Sequence, residues 1–366
     1  MKILKDTLKD LVELHGAPGF EQDIKKYIES ELKEYNIKKY FTDNIGNFLV
    51  EIKGSDPDAP IIHLDAHMDE PCFMVKYIDE EGFIYIVQLG CVEPNVMNAQ
   101  RVIIKTKKGP VCGAFGTKSF HLISEEERKS KELKFENMWI DVGVDSREKA
   151  AKLGIKPGLP VTFDVKMKEL ENDYLMAKAF DNRVGCVVLL ETAKHLLQNI
   201  SKSTIYLSFS VQEEVCLRGC IPIYRDFKQY FGKIPKISIV YDICLAGDFP
   251  GVVKHKAPVK LGKGPGIKVY DRSNVTHYSQ IVPRKLVEAL EEIAKENDIP
   301  YQFDFLLGST NADVFSLENT GVIAGGIGIP CRYTHTPIEM INLKDVENAI
   351  KLTLKFIKEC PKYFNN

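Results

Sequence analysis

Ile61-Ile62-His63-Leu64-Asp65-Ala66-His67-Met68-Asp69-Glu70 is the stretch around which the rest of the chain is organised. Its apolar start has the composition of a buried strand, and its end packs imidazole and carboxylate side chains together. Residues two apart on a strand share a face, so His67 and Asp69 point the same way. Three later stretches have the same form: Ala179-Phe180-Asp181-Asn182-Arg183, Val211-Gln212-Glu213-Glu214 and Ile239-Val240-Tyr241-Asp242. Tyr333-Thr334-His335-Thr336-Pro337 adds one more imidazole.

Working outward, Leu4, Leu8, Leu11 and Leu14 repeat with helical period until Gly16. After the Ala17-Pro18-Gly19 turn, Phe20, Ile24, Tyr27, Ile28 and Leu32 mark a second amphipathic helix. A strand pair is expected over 36–42 and 47–53, and a strand over 60–66 that delivers His67. Between Pro71 and Val165 short β-like segments follow one another: Phe73–Tyr77, Phe83–Gln88, Arg101–Thr106, Pro110–Phe115, Met138–Val142 and Val161–Val165. Strands this short, separated by turn signals, make a small barrel or sandwich. Charged Glu125–Lys134 reads as an exposed loop or short helix. After the insert, strands at Tyr174–Ala177, Thr204–Val211, Lys236–Tyr241, Tyr301–Phe305 and Gly321–Ala324 alternate with helices. The helices are expected at Arg183–Leu197, Ile281–Asn297, Ala312–Glu318 and Leu343–Ile357, with Pro283 in a first turn. The expected fold class is α/β, a mixed or parallel sheet covered by helices on both faces. Residues 1–70 and 166–366 would form that domain, with 71–165 a β-rich insertion. In such sheets sites gather at the carboxyl ends of strands, which is where most of the acidic and histidine stretches fall.

At 366 residues the chain is long enough for one large domain or two. The charged fraction of 27% and net charge of -2 give no field directed at nucleic acid or an anionic membrane. No apolar run approaches the roughly 20 residues of a membrane span. Met1-Lys2-Ile3-Leu4-Lys5-Asp6 has no signal-peptide pattern, so the expected location is the cytoplasm. The nine cysteines have no paired spacing and read as reduced thiols. Abundant Lys, Glu and Ile agree with a thermophilic source.

Two histidines with several carboxylates are the ingredients of a two-metal hydrolase site. Each piece also has a plainer reading. Asp181 before a helix is either a cap or a carboxylate that bridges two cations. Glu213 and Glu214 are either a solvated strand end or a ligand beside a general base. His335 lies in a loop, where a single histidine is seldom a ligand. His63 and Asp65 either extend the site or sit on a strand face away from it. His121, His195, His255 and His277 have no partner pattern. Gly262-Lys263-Gly264-Pro265-Gly266 lacks the phosphate-loop spacing, and no Gly-x-Ser-x-Gly elbow is present. What favours a site is the coincidence of five such stretches in one chain.

The order of the motifs resembles the tetrahedral aminopeptidases, a co-catalytic metallopeptidase family of glutamyl, lysyl, leucyl and deblocking aminopeptidases, some labelled endoglucanases. The resemblance covers nearly the whole chain and rests on Ala66-His67-Met68-Asp69-Glu70, Ala179-Phe180-Asp181-Asn182-Arg183-Val184-Gly185 and Val211-Gln212-Glu213-Glu214-Val215. It continues through Leu245-Ala246-Gly247-Asp248 with Pro250-Gly251, and Arg332-Tyr333-Thr334-His335-Thr336-Pro337-Ile338-Glu339-Met340. It implies that His67, Asp181, Glu214, Asp242 and His335 are metal ligands, with Asp181 bridging. Glu213 would be the general base and Asp69 the support of His67. Two divalent ions, zinc or cobalt, would be bound per subunit. A PDZ-like inserted domain would make dimer contacts, and subunits would form a homo-oligomer, in this family a tetrahedral dodecamer that trims short peptides. The chain departs from the pattern at Pro71-Cys72, at Asn182 where Asp is common, at Cys216 where Gly is usual, and at Asn311 within Thr310-Asn311-Ala312-Asp313. Competing readings are an N-acyl amino acid deacylase or carboxypeptidase, with Lys254, Lys256 or Arg272 anchoring a substrate carboxylate, and a non-catalytic protein held together by its metals.

Overall fold

The leucine spacing at the N-terminus forms one face of helix α1 (Leu4–Glu13), where Leu8 and Leu11 are fully buried. Helix α2 (Gln22–Glu34) buries Ile24, Ile28 and Leu32 at the same three-to-four spacing. Strands β1 (Lys39–Thr42) and β2 (Phe48–Ile52) then pair antiparallel. β3 (Ile62–His67) is buried at every position, as a strand covered on both faces requires. The computed structural model describes residues 4–123, 134–273, 276–306, 308–317 and 321–365. Apart from Lys134, the charged run Glu125–Lys134 lies outside these residues.

The short strands after Pro71 close on themselves. β4 (Cys72–Ile78), β5 (Ile84–Leu89), β6 (Arg101–Thr106), β7 (Gly109–Phe115), β8 (Trp139–Asp141) and β9 (Pro160–Phe163) form a barrel in the order β4-β5-β8-β7-β6-β9. Closure removes the edges that strands of this length cannot otherwise protect. The barrel has its own core, with Phe73, Ile84, Val102, Ile140 and Val161 at its centre. A helix that the sequence reading did not anticipate, α3 (Arg147–Lys152), precedes β9 and is capped by Ser146, which accepts the N–H of Lys149.

Beyond the barrel come β10 (Lys168–Glu169), β11 (Tyr174–Ala177), α4 (Phe180–Gln198), β12 (Ile205–Ser210), α5 (Cys220–Arg225), α6 (Phe227–Phe231) and β13 (Ile237–Leu245). The chain ends through β14 (Gly266–Arg272), β15 (Ser279–Ile281), α7 (Arg284–Glu296), β16 (Gln302–Leu306), α8 (Asn311–Phe315), β17 (Ile323–Cys331), β18 (Glu339–Asn342) and α9 (Leu343–Phe364). The main sheet is mixed and nine-stranded, in the order β1-β2-β12-β3-β13-β17-β14-β15, with β16 added alongside β14. β12, β3, β13 and β17 run parallel at its centre. Alternation along these strands feeds two cores. Leu64, Leu207 and Ile239 pack with α1, α2, α4, α7 and α9. Tyr206, Val240 and Ala324 pack with α5, α6 and α8 on the opposite face.

Several boundaries differ from expectation. Asp242 lies within β13, which continues through Ile243, Cys244 and Leu245 against Ile329–Cys331. Ile281 belongs to a strand, and α7 starts only after Pro283. β14 was not anticipated, because its interior carries Lys268 and Asp271. α9 runs past Ile357 with Pro361 near its end, where one lost hydrogen bond costs least. Among the described residues, no helix is long and apolar enough to cross a membrane. All nine cysteines are unpaired thiols.

Candidate active site

His67 ends β3, and the turn that follows brings Asp69 beneath the loop leaving β12. Asp69 Oδ1 accepts the N–H of Glu213 and Oδ2 that of Glu214, both at 3.0 Å. One fully buried carboxylate therefore fixes the backbone of both glutamates. Its Oδ1 also lies 3.4 Å from His67 Nδ1. That contact is too long for a well-formed hydrogen bond, and Nδ1 is buried with no other partner.

The other ring nitrogen of His67 faces a group of acids. Nε2 is 3.3 Å from Asp181 Oδ1, 3.9 Å from Glu213 Oε2 and 4.0 Å from Asp242 Oδ1. Across the group, His335 Nε2 is 3.3 Å from Asp181 Oδ2 and 3.6 Å from Glu214 Oε1. The two oxygens of Asp181 thus face two different imidazoles. Donor atoms of His67, Glu213 and Asp242 lie within 4.8 Å of one another, as do those of His67, Asp181 and Glu214. Asp181 makes no capping hydrogen bond, and the backbone at Asp181 and Asn182 is not helical, so its plainer reading as a helix cap is not what the fold uses.

Crowding these acids away from water changes their acidity. Burial pushes the Glu214 carboxyl up to about 8, although His335 opposes it. Burial and then Asp181 push Asp242 up to about 7. Burial raises Glu213 well above the usual range, with Asp242 and Glu214 adding to it. Burial also raises the Asp181 carboxyl, but His335 and His67 outweigh it and hold it below the usual range. Acids packed this closely ionise together only with cations among them. Buried carboxylate oxygens gathered around the inward-facing Nε2 of His67 are a fitting set for divalent metal.

The structure also shows supports that the sequence reading did not assign. Glu339 Oε2 accepts the N–H of Asp181 at 2.9 Å, and Oε1 accepts that of His335 at 2.8 Å. It is fully enclosed and ties together two candidate ligands from distant parts of the chain. The signal was its place four residues after His335. His63 and Asp65 do not reach the metal group. Ser208 gives its proton to Asp65, so Nε2–H of His63 donates to Ser208 at 2.7 Å and Nδ1 accepts from Ser238 at 2.8 Å.

Two of the departures from the family pattern, at Asn311 and Asn182, have local reasons. Asn311 donates to Asp65 Oδ2 at 2.8 Å, a bond that an ionised Asp could not make. Asn182 donates to the carbonyl of Tyr241 at 2.8 Å for the same reason. Cys216 has φ 72°, the region glycine enters freely. The Gly262–Gly266 loop binds no phosphate in this arrangement, since the amides of Gly262 and Gly264 donate to the carboxylate of Asp345 at 2.6 and 2.7 Å. A cavity of about 690 Å³ opens over the site, lined by Asp181, Glu213, Glu214, Asp242, His335 and Arg272 among others.

A buried imidazole–carboxylate centre on a mixed α/β sheet has the donor set that a metallohydrolase requires. Residues 46–352 match the model of the M42 glutamyl aminopeptidase family, and the chain belongs to that family. It is 30% identical to the lysyl aminopeptidase of Pyrococcus furiosus, over 97% of this chain and 96% of the relative. The aminopeptidase APDkam598 of the archaeon Desulfurococcus kamchatkensis superposes with a TM-score of 0.90 at 34% identity, over 98% of this chain and 96% of the other. The Pyrococcus horikoshii TET1 peptidase, which assembles into a tetrahedron or a large octahedral shell, superposes with a TM-score of 0.83 at 28% identity, over 98% of this chain and 100% of its own. By its family the protein is a metal-dependent aminopeptidase, a hydrolase.

Proposed function

We propose that this aminopeptidase removes N-terminal residues from short peptides with two divalent ions, zinc or cobalt, and Glu213 as general base. The observation that carries this reading is that the two oxygens of Asp181 each lie 3.3 Å from a different imidazole. His67 and Asp242 would hold one ion, Glu214 and His335 the other, and Asp181 would bridge them. When bound, the ions polarise the scissile carbonyl and lower the pKa of the attacking water to roughly 7. Glu213 accepts the proton of that water and passes it to the leaving amine. Asp69 holds the Glu213 and Glu214 amides in place and supports His67. The free α-amine would be received by a carboxylate of the cluster or by a bound ion, which excludes blocked peptides.

Residues 1–70 and 166–366 serve as the catalytic domain in this reading. Residues 71–165, the barrel, serve as a PDZ-like dimerisation domain. The tetrahedral or octahedral assembly of the TET1 peptidase supports a homo-oligomer here, with a tetrahedral dodecamer as the proposed form. The cytoplasm is its proposed location.

Metal-stripped protein refilled with zinc or cobalt would be assayed on aminoacyl-p-nitroanilides and their N-acetylated counterparts. Metal-dependent release from free-amine substrates alone is expected. Release from the acetylated set would replace this reading with a deacylase. Bound metal without hydrolysis of any peptide would leave a scaffold.

A further inference from the structure

We propose that Arg272 receives a carboxylate of the substrate, and so determines which peptides this enzyme prefers; the inference rests on the aminopeptidase reading. Arg272 ends β14 and lines the same cavity as Asp181, Glu213, Glu214 and Asp242. It is exposed, and among the described residues its guanidinium has no hydrogen-bond or ion-pair partner. Such a group, with several N–H donors in a planar fork, is built to take a carboxylate on two bonds.

Neighbouring acids cannot neutralise it. Asp271, next along the strand, is fully buried and accepts from Lys268 Nζ at 2.7 Å and from Thr310 Oγ1 at 3.0 Å. Asp304 lies 3.1 Å from the same Lys268. The acidic residues in the cavity lining are those assigned to the metal centre and its base. The buried charges also fix the place of Arg272. Lys268 and Asp271 pin the end of β14 inside the fold, and alternation turns the next side chain outward. The anchor is rigid and the head is free, which is how a recognition arginine is prepared in advance.

A peptide offers this arginine a carboxylate from two sources, an acidic side chain on the first residue or the free C-terminus of a short substrate. A basic first residue would gain nothing from it. Metal-loaded enzyme would be assayed on two matched pairs: Glu- and Gln-p-nitroanilide, and Leu-Gly as free acid and as amide. Each pair differs by one charge at nearly constant shape. The expected result is a kcat/KM ratio of charged to neutral substrate on the order of 10- to 100-fold in one pair. The pair that shows it identifies the source. The ratio should fall with added salt, because the site is open to solvent. In R272M it should collapse to near unity, and R272K should restore part of it, since an ammonium keeps the charge without the fork. Metal content and melting temperature of both variants report whether the fold and the centre survive. A ratio below about threefold in both pairs, or one unchanged in R272M, overturns the proposal while leaving the aminopeptidase reading standing. Failure to cleave any free-amine substrate overturns both.

Discussion

Lys178 Nζ lies 2.7 and 2.9 Å from the two carboxylate oxygens of Glu70, and neither side chain has contact with solvent beyond 2%. Arg183 Nη2 adds a third contact to the same carboxylate at 3.2 Å. Glu70 directly follows Asp69, so this buried triad anchors the end of the loop that carries the site. Removing the carboxylate would leave two cations buried and unpaired. Glu70→Ala should therefore destabilise the fold by about 3–5 kcal/mol. Urea unfolding at fixed protomer concentration measures this, and a loss below 1 kcal/mol would show that the cations find other partners.

The His63 imidazole is buried between Phe227 and Phe315, and burial holds its pKa down at about 3. Below pH 6.5 the unfolded chain's histidine takes a proton that the folded one refuses. The unfolded state then binds more protons, so stability falls as pH drops through the window from 6.5 to about 3. The slope due to this group is about 1.4 kcal/mol per pH unit. His63→Gln keeps a donor and an acceptor without titrating. The difference in unfolding free energy between wild type and this variant should narrow steadily from pH 7 to 4.5, and a constant difference would refute the assignment.

Which parts of this arrangement were legible beforehand follows from where polar groups break an apolar pattern. His67 stood out because a run of strand formers ended in it, and the barrel strands stood out because turn residues separate them. β14 was hidden because Lys268 and Asp271 lie inside it, and a strand with two buried charges is tolerated only through Asp304 and Thr310, which are remote in sequence. β17 was expected only over its first residues, since Gly325, Gly326 and Gly328 dilute the strand signal. Side chains there would press on Leu286, Lys268 and Cys244, contacts that only the folded chain reveals. Glu339 carries no signal of its role in the sequence beyond its place four residues after His335, because its task is to hold two backbone amides, of Asp181 and His335, that the sequence does not bring together.

Glu213 is the candidate base because its carboxylate lines the cavity while its backbone is pinned by Asp69. Glu213→Gln preserves shape and removes the proton acceptor. Turnover should fall by at least about 100-fold. Metal content, measured by atomic absorption after dialysis, should stay near that of wild type if Glu213 is the base and not a ligand. Loss of metal along with activity would move Glu213 into the ligand set with His67 and Asp242, a grouping its position also permits.

Glu339 should matter for metal affinity more than for the chemical step. Its two oxygens hold the amides of Asp181 and His335, the pair whose side chains face each other at 3.3 Å. Glu339→Gln retains one acceptor oxygen but turns an NH2 group toward the second amide, so one of the two tethers is lost and two donors meet. Outer groups of this kind typically change metal affinity by about 10- to 100-fold. Competition with a chelator should show weakened binding of that order, with the turnover of fully loaded enzyme much less affected. Unchanged affinity would mean that the backbone around Asp181 and His335 is held by the surrounding fold alone. Equal losses in affinity and in turnover at saturating metal would instead mean that the tether sets the geometry of the reacting groups themselves.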